Sequence, residues 1–299
     1  MIEFSAMPPS QKAVLPYLAL AYGVLSLSFS GLFVRWSEAP GPVTSFYRMT
    51  TAALLLLPVI FMHLRRQGMP RLRWLIFPML GGLFTGLDHG TWSTAVQSTR
   101  IANAMLLNNI APLWVALFAT LVWRERLSRR FWLALLITLA GMALVVGMDL
   151  FLAPALNWGN LLAILSSVFY GAYFLVTQRG RTRLDPLVYV WFVDLFAAFS
   201  LLGINLSLGY PLSGFDTTTW LVFVAAALVA QVGGYFAIAY ALGHLPASVV
   251  SPSMIGQPVI SALLAIPFTG ENLAPAQWLG GLAVVLGIYL VNTSRSKTV

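Results

Sequence analysis

Asn109–Gly147 reads NIAPLWVALFATLVWRERLSRRFWLALLITLAGMALVVG. Two apolar stretches flank a short loop in which Arg124, Arg126, Arg129 and Arg130 surround Glu125. Neither stretch carries a charge, and each belongs to a run near the roughly 20 residues that a helix needs to cross a bilayer core. The rest of the chain is built in the same way. Of 299 residues, 59% are hydrophobic and 9% charged, against about 25% charged in a soluble domain. Mean hydropathy is +0.83. A surface so short of charge cannot face water, so the sequence specifies an all-α polytopic membrane protein.

Ten transmembrane spans are expected, at about 14–35, 41–62, 74–96, 101–122, 130–148, 157–178, 186–207, 217–241, 247–268 and 275–293. A net charge of +8 could suggest nucleic acid, but the positions of the charges decide otherwise. Fourteen of the 17 basic residues fall on one side: Lys12; Arg65, Arg66, Arg71 and Arg73; Arg124, Arg126, Arg129 and Arg130; Arg179, Arg181 and Arg183; Arg295 and Lys297. The other side has Arg35 and Arg100, and Arg48 lies inside a span. Short loops rich in Arg and Lys stay in the cytoplasm. Both termini are therefore expected there, and no nucleic-acid partner is needed to explain the basicity.

The N-terminal apolar part is too long for an ordinary signal peptide and lacks a small-residue cleavage site; it reads as an uncleaved first helix. The chain has no cysteine, which excludes disulfides and thiolate metal sites. The sequon at Asn292 falls on the cytoplasmic side, and the one at Asn205 reads as a chance match.

An internal repeat emerges when the halves are superposed. A shift of 146 residues aligns Arg73–Phe77 (RWLIF) with Thr219–Phe223 (TWLVF), Pro112 with Pro258, Glu125 with Glu271, Trp132 with Trp278 and Gly141 with Gly287. Around Ala102 and Ala247 the shift is 145. Each half holds five spans, 14–148 and 157–293. An odd number sends the second half into the membrane from the opposite side, giving an inverted repeat of the kind that secondary transporters use.

Ser98–Gly147 and Gly243–Asn292 both resemble the second part of an EamA domain. Each has a small-residue entry, a Pro in the span, a Glu after it, and a Gly-containing final helix. The resemblance covers essentially the whole chain. It implies the drug/metabolite transporter superfamily, with ten helices in two inverted five-helix repeats around a central cavity. Within it the chain is similar to YddG-like bacterial exporters of aromatic and other amino acids.

Intramembrane polarity is concentrated outside the fifth and tenth spans, which read as peripheral helices facing lipid, each other or a second copy. Monomer and homodimer through those two helices both fit. Gly82–Thr99 (GLFTGLDHGTWSTAVQST) is the polar span that raises the sharpest question. Gly82, Gly86 and Gly90 form a small-residue stripe suited to close helix contact. Leu83 and Leu87 point elsewhere, toward lipid, while Thr85, Asp88 and Trp92 share a third face, with His89 between it and the glycines. A charge at mid-bilayer costs roughly 2.5–3.5 kcal/mol even on the lenient insertion scale, so Asp88 should meet a partner or a wet cavity. Depth makes an Arg48–Asp88 pair feasible. Asp194 is the repeat counterpart of Arg48.

The expected substrate-binding set is Tyr47, Arg48, Asp88, His89, Trp92, Asp194 and Tyr235, with Pro112 and Pro258 as hinges. Each has a plainer reading. Arg48 could serve only as a counter-ion, Asp194 could cap a cluster with Tyr170, Tyr173 or Asn205, His89 could be a packing residue, and the aromatic rings could be core. Glu125 and Glu271 read as loop-holding groups. No HExxH, GxSxG, P-loop, GxGxxG or cysteine pair occurs, so no catalytic residue, metal or cofactor is expected.

A pocket for phosphorylated solutes should hold several deep Lys or Arg; this chain has one intramembrane Arg and no intramembrane Lys. The mixed-sign, aromatic set fits a zwitterion. The leading reading is a bacterial inner-membrane exporter of small solutes, chiefly amino acids with broad specificity, working by alternating access without ATP hydrolysis. Passive export is favoured over proton antiport because only one acid–imidazole cluster is visible. The alternatives are proton-coupled efflux of cationic drugs or other metabolites and, in another class, a non-transporting receptor or a lipid scramblase.

Overall fold

The computed structural model describes residues 9–99, 101–146, 157–269 and 273–294. Arg100, Glu271, Asn272, Arg295 and Lys297 lie outside the described residues. The apolar runs form helices because lipid leaves backbone N–H and C=O groups no partner but each other. In order these are α1 Pro9–Ser28, α2 Ser30–Trp36, α3 Gly41–Gln67, α4 Ile76–Ser98, α5 Ile101–Asn108, α6 Ala111–Leu121 and α7 Arg129–Val146. Then follow α8 Trp158–Arg181, α9 Pro186–Ser207, α10 Thr217–Ala226, a π-helical segment Ala227–Tyr235, α11 Phe236–Leu242, α12 Ala247–Ser253, α13 Gly256–Thr269 and α14 Pro275–Thr293.

Among the described residues, nine helical stretches are long and apolar enough to cross a membrane. The expected third span, α4, is a 23-residue helix that is not one of the nine. It is diluted by Thr, Ser, Gln, Asp88 and His89, and it is sheltered between α8, α9 and α3. Three expected spans are interrupted. The first breaks at Phe29, the fourth at Asn109–Ile110 and the ninth at Met254–Ile255.

Two of these breaks have a covalent cause. Pro112 and Pro258 sit just past them, and a proline has no N–H to bond the carbonyl four residues back. The chain turns with tighter bonds instead, Ile110 N to Leu107 O at 3.3 Å and Gln257 N to Met254 O at 3.0 Å. At the first break the Ser28 carbonyl accepts from Ser261 Oγ of α13 at 2.7 Å. Irregular backbone inside a membrane protein survives where neighbours repair it in this way.

Glycines set two close helix crossings. A Cβ on Gly82 would lie 2.6 Å from the Phe196 Cβ, and one on Gly90 would lie 2.7 Å from Ile204 Cδ1. The glycine stripe of α4 therefore packs on α9, while Leu83 is exposed. The peripheral pair is α7 and α14. A Cβ on Gly141 would stand 2.7 Å from Gly280 O, and one on Gly280 would stand 2.5 Å from Gly141 O. The fifth and tenth spans thus lean on each other within one chain. Their outer faces, with Leu133, Leu136, Leu279, Leu282 and Tyr289, remain exposed.

Glu125 reaches across the repeat boundary, where its Oε2 accepts from Ser248 Oγ of α12 at 3.2 Å. Around it, at the end of the bundle that carries the arginine-rich loops, the main core cluster fills the interior. It includes Tyr173, Phe174, Val188, Tyr189, Ile238, Leu242 and Val250.

Candidate functional site

The other half of the bundle, beside the arginine-poor loops, holds a cavity of about 610 Å³. The helix breaks open onto it. Ser30, Gly31 and Val34 come from α2, Asn108 and Asn109 from the end of α5, and Gln257, Pro258 and Ser261 from the start of α13. Ser45 and Arg48 enter from α3, Asp88, His89, Trp92 and Val96 from α4, Tyr170 from α8, and Tyr235 from the π-helical segment.

The polar wall is one connected network. Asp88 Oδ1 accepts from Asn108 Nδ2 at 3.0 Å and from Ser166 Oγ at 2.5 Å. Asn108 also reaches Ser166 Oγ at 2.6 Å. Arg48 Nη2 lies 2.6 Å from His89 Nε2, and His89 Nδ1 lies 3.6 Å from Asp88 Oδ2. The guanidinium can only donate, so Nε2 must be the unprotonated acceptor. The imidazole proton then belongs on Nδ1, facing Asp88. At 3.6 Å that approach is electrostatic, too long for a hydrogen bond. The direct Arg48–Asp88 pair that depth made feasible is replaced by a relay, Arg48–His89–Asp88. The imidazole intervenes because it follows Asp88 in sequence, so its ring lies about 100° around the helix, between the acid and α3.

Arg48 keeps binding capacity. Its guanidinium lines the cavity, with the central carbon 5.8 Å from the centre of the Tyr235 ring. The cavity holds one cation, one carboxylate flanked by three polar side chains, and the faces of Trp92, Tyr170 and Tyr235.

Five of the seven expected binding residues, Arg48, Asp88, His89, Trp92 and Tyr235, line this cavity, and two do not. Tyr47 packs in an aromatic cluster, stacked on Phe223 at 4.8 Å with Trp220 and Phe215 at its edges. Its hydroxyl donates to the Leu212 carbonyl. The loop between α9 and α10 supplies that carbonyl, and helical spacing gives no hint of it. Asp194 is fully buried in α9, where Oδ1 accepts from Gln231 Nε2 at 2.6 Å. Asn205, one of three partners weighed for it in the plainer reading, donates instead to the Pro42 carbonyl at 3.1 Å. Of the two prolines, Pro258 lines the cavity and Pro112 is buried at the start of α6.

Sequence reasoning missed Ser45, Met105, Ser261 and the Asp88 ligand Ser166. Three of these were within reach of helical periodicity. Ser45 is three residues before Arg48, Met105 three before Asn108, and Ser261 four after Gln257, spacings that put side chains on one face. Ser166 had no such signal.

This geometry belongs to a known fold with a known repeat. The EamA-like transporter family model matches twice, at residues 14–147 and 157–293. The chain belongs to the EamA-like transporter family. Family membership makes the protein a multi-pass membrane transporter rather than an enzyme. An uncharacterized transporter of Archaeoglobus fulgidus is 25% identical over 299 residues, covering 97% of this chain and 98% of that one. A riboflavin transporter of Rhizobium johnstonii is 26% identical over 294 residues, covering 94% and 91%. A solved structure superposes with a TM-score of 0.76 at 21% identity, covering 92% of this chain and 96% of the other. That last likeness is one of fold.

Proposed function

We propose that the protein exports small zwitterionic solutes, amino acids foremost, across the bacterial inner membrane by alternating access between two inverted repeats. The observation that carries this reading is the charge balance of the cavity, in which Arg48 faces a neutral His89 and one carboxylate, Asp88. Arg48 takes the substrate carboxylate through its free donors, and Asp88 draws the ammonium group. Trp92, Tyr170 and Tyr235 take an apolar or aromatic side chain, partly through cation–π and stacking contacts. About 610 Å³ lies in the range of small-molecule sites, roughly 300–1,000 Å³, which favours broad side-chain choice. Pro112 and Pro258 serve as hinges at the broken spans.

A competition panel against one labelled aromatic amino acid in reconstituted vesicles tests the reading. Aromatic and aliphatic amino acids are expected to compete, and sugar phosphates and quaternary amines to fail. Competition by quaternary amines alone would favour cationic drug efflux, and absence of flux for every solute would end the transporter assignment at this cavity. The panel should include riboflavin. The Rhizobium johnstonii relative is named for that substrate, and the three rings facing the cavity suit a flat heteroaromatic solute as the second reading.

In this proposal both termini are cytoplasmic, so the cavity lies toward the outer face and the core cluster seals the cytoplasmic end. The absence of cysteine makes the orientation easy to read. Ser213→Cys should react with a membrane-impermeant maleimide in intact cells, and Thr298→Cys only after permeabilisation. The reverse pattern would overturn the topology.

A further inference from the structure

Outside the cavity the bundle buries a second acid. Asp194 is 0% exposed, and Gln231 satisfies one of its oxygens, Oδ1. Its Oδ2 has no donor, and neither does Oε1 of Gln231. Two leftover acceptors therefore sit on the two members of one hydrogen-bonded pair. A single proton resolves both. A proton on Oδ2 creates the donor that the amide oxygen lacks, since a protonated carboxyl donates and a primary amide accepts as well as donates. The ionised form would instead leave an uncompensated charge in an apolar bundle, which is expensive enough that such groups neutralise.

Among the described residues, Gln231 is the one hydrogen-bond donor that reaches the Asp194 carboxyl. Arg48 of α3 is the cation whose charge reaches Asp194, but its Nη2 is held by His89 and its unpaired Nε makes no hydrogen bond to the acid. Tyr235 of the π-helical segment is an ionisable neighbour. On α4, Asp88 and His89 face the cavity. Tyr189 on α9 itself is engaged with Thr177 at 3.1 Å, and Arg181 of α8 bonds the Ala239 carbonyl at 2.9 Å.

We propose that Asp194 holds a proton in this conformation, as a carboxylic acid closed onto the Gln231 amide, and that the pair is a proton-binding site distinct from the cavity. The site has a mechanical link to the cavity. Gln231 and Tyr235 share the π-helical segment Ala227–Tyr235, and π-type turns inside helices are frequent at functional sites. Tyr235 forms cavity wall beneath the Arg48 guanidinium. In a conformation that opens the pair to water, loss of the proton leaves a carboxylate that repels the Gln231 oxygen and attracts Arg48 away from His89. Loading and unloading Asp194 therefore reset the cavity wall. The passive reading rested on a single acid–imidazole cluster, and a second titratable site inside the membrane removes that premise. The site stands whether or not the cavity carries amino acids.

Infrared spectroscopy of the purified protein in lipid nanodiscs tests the proposal without any substrate. At neutral pH the parent protein should show a protonated-carboxyl C=O band that Asp194→Asn removes and Asp88→Asn retains. Gln231→Leu should shift that band, because the acid loses its amide partner. A parent spectrum without the band, or a band that survives in Asp194→Asn, would overturn the assignment. Asparagine keeps the shape and the amide contact of the neutral acid. Should that variant still fail to fold, the Gln231→Leu spectrum decides, and an unshifted band overturns the pair.

Discussion

Arg48→Gln is expected to cut amino-acid flux through reconstituted vesicles at least about tenfold, the equivalent of about 1.4 kcal/mol in binding. The effect should be large because one guanidinium carries two duties. It is the one cation lining the described cavity, and its contact with His89 Nε2 holds the imidazole proton toward Asp88. Glutamine keeps a donor but loses the charge that a carboxylate needs. Arg48→Lys should recover part of the flux and not all of it, since an ammonium restores charge without the planar fork. Tyr289→Phe, on the exposed face of α14, serves as the control and should transport at the parent level. Tracer flux with matched protein per vesicle measures all three. Parent-level flux in a monodisperse Arg48→Gln protein would take Arg48 out of the binding site and leave it a structural counter-ion.

Gly280→Leu is expected to lower the thermal unfolding midpoint of the detergent-solubilised protein more than any substitution on an exposed face. The first added atom would already stand 2.5 Å from the Gly141 carbonyl oxygen and 2.7 Å from the Leu144 Cβ. Two backbones in contact cannot absorb a branched side chain by rotamer change, so α7 and α14 must separate. Overpacking of this kind costs about 1–3 kcal/mol, occasionally more. Gly203→Ala provides the contrast, because nothing lies within 4 Å of its added Cβ, and alanine in a helix is favoured over glycine by roughly 0.5–1 kcal/mol. An unchanged midpoint for Gly280→Leu would mean that the two helices do not cross at these glycines.

Much of the fold was legible because a bilayer reduces it to quantities a linear chain displays. Span length, apolarity and the placement of arginines need no tertiary information, so the expected helices and the observed ones differ by little at most ends. The offset between the halves and the EamA pattern are likewise properties of the string. Even the glycine stripe of α4 could be read, since small residues at helical spacing can only mean close approach or empty space.

Convergence of the site was another matter. Helical periodicity groups residues within one span, which is why Asp88 and Trp92 were found together and why Ser45 could have been added to Arg48. It says nothing about the rotation of one helix against another, nor about where a helix stops being regular. Those rotations put His89 between Arg48 and Asp88, and they brought Ser166 of α8 to the carboxylate. A loop carbonyl at Leu212 drew Tyr47 into an aromatic cluster outside the cavity. The repeat relation placed Asp194 opposite Arg48 on paper, yet a hydrogen bond from Gln231 of the π-helical segment holds it and its burial leaves no room for solvent. The sequence alone therefore determined that this is a membrane bundle of repeated helices with few buried charges. Only the tertiary structure decided which of those charges meet, because contact depends on helix rotation and helix breaks, which the packing of all the spans sets together.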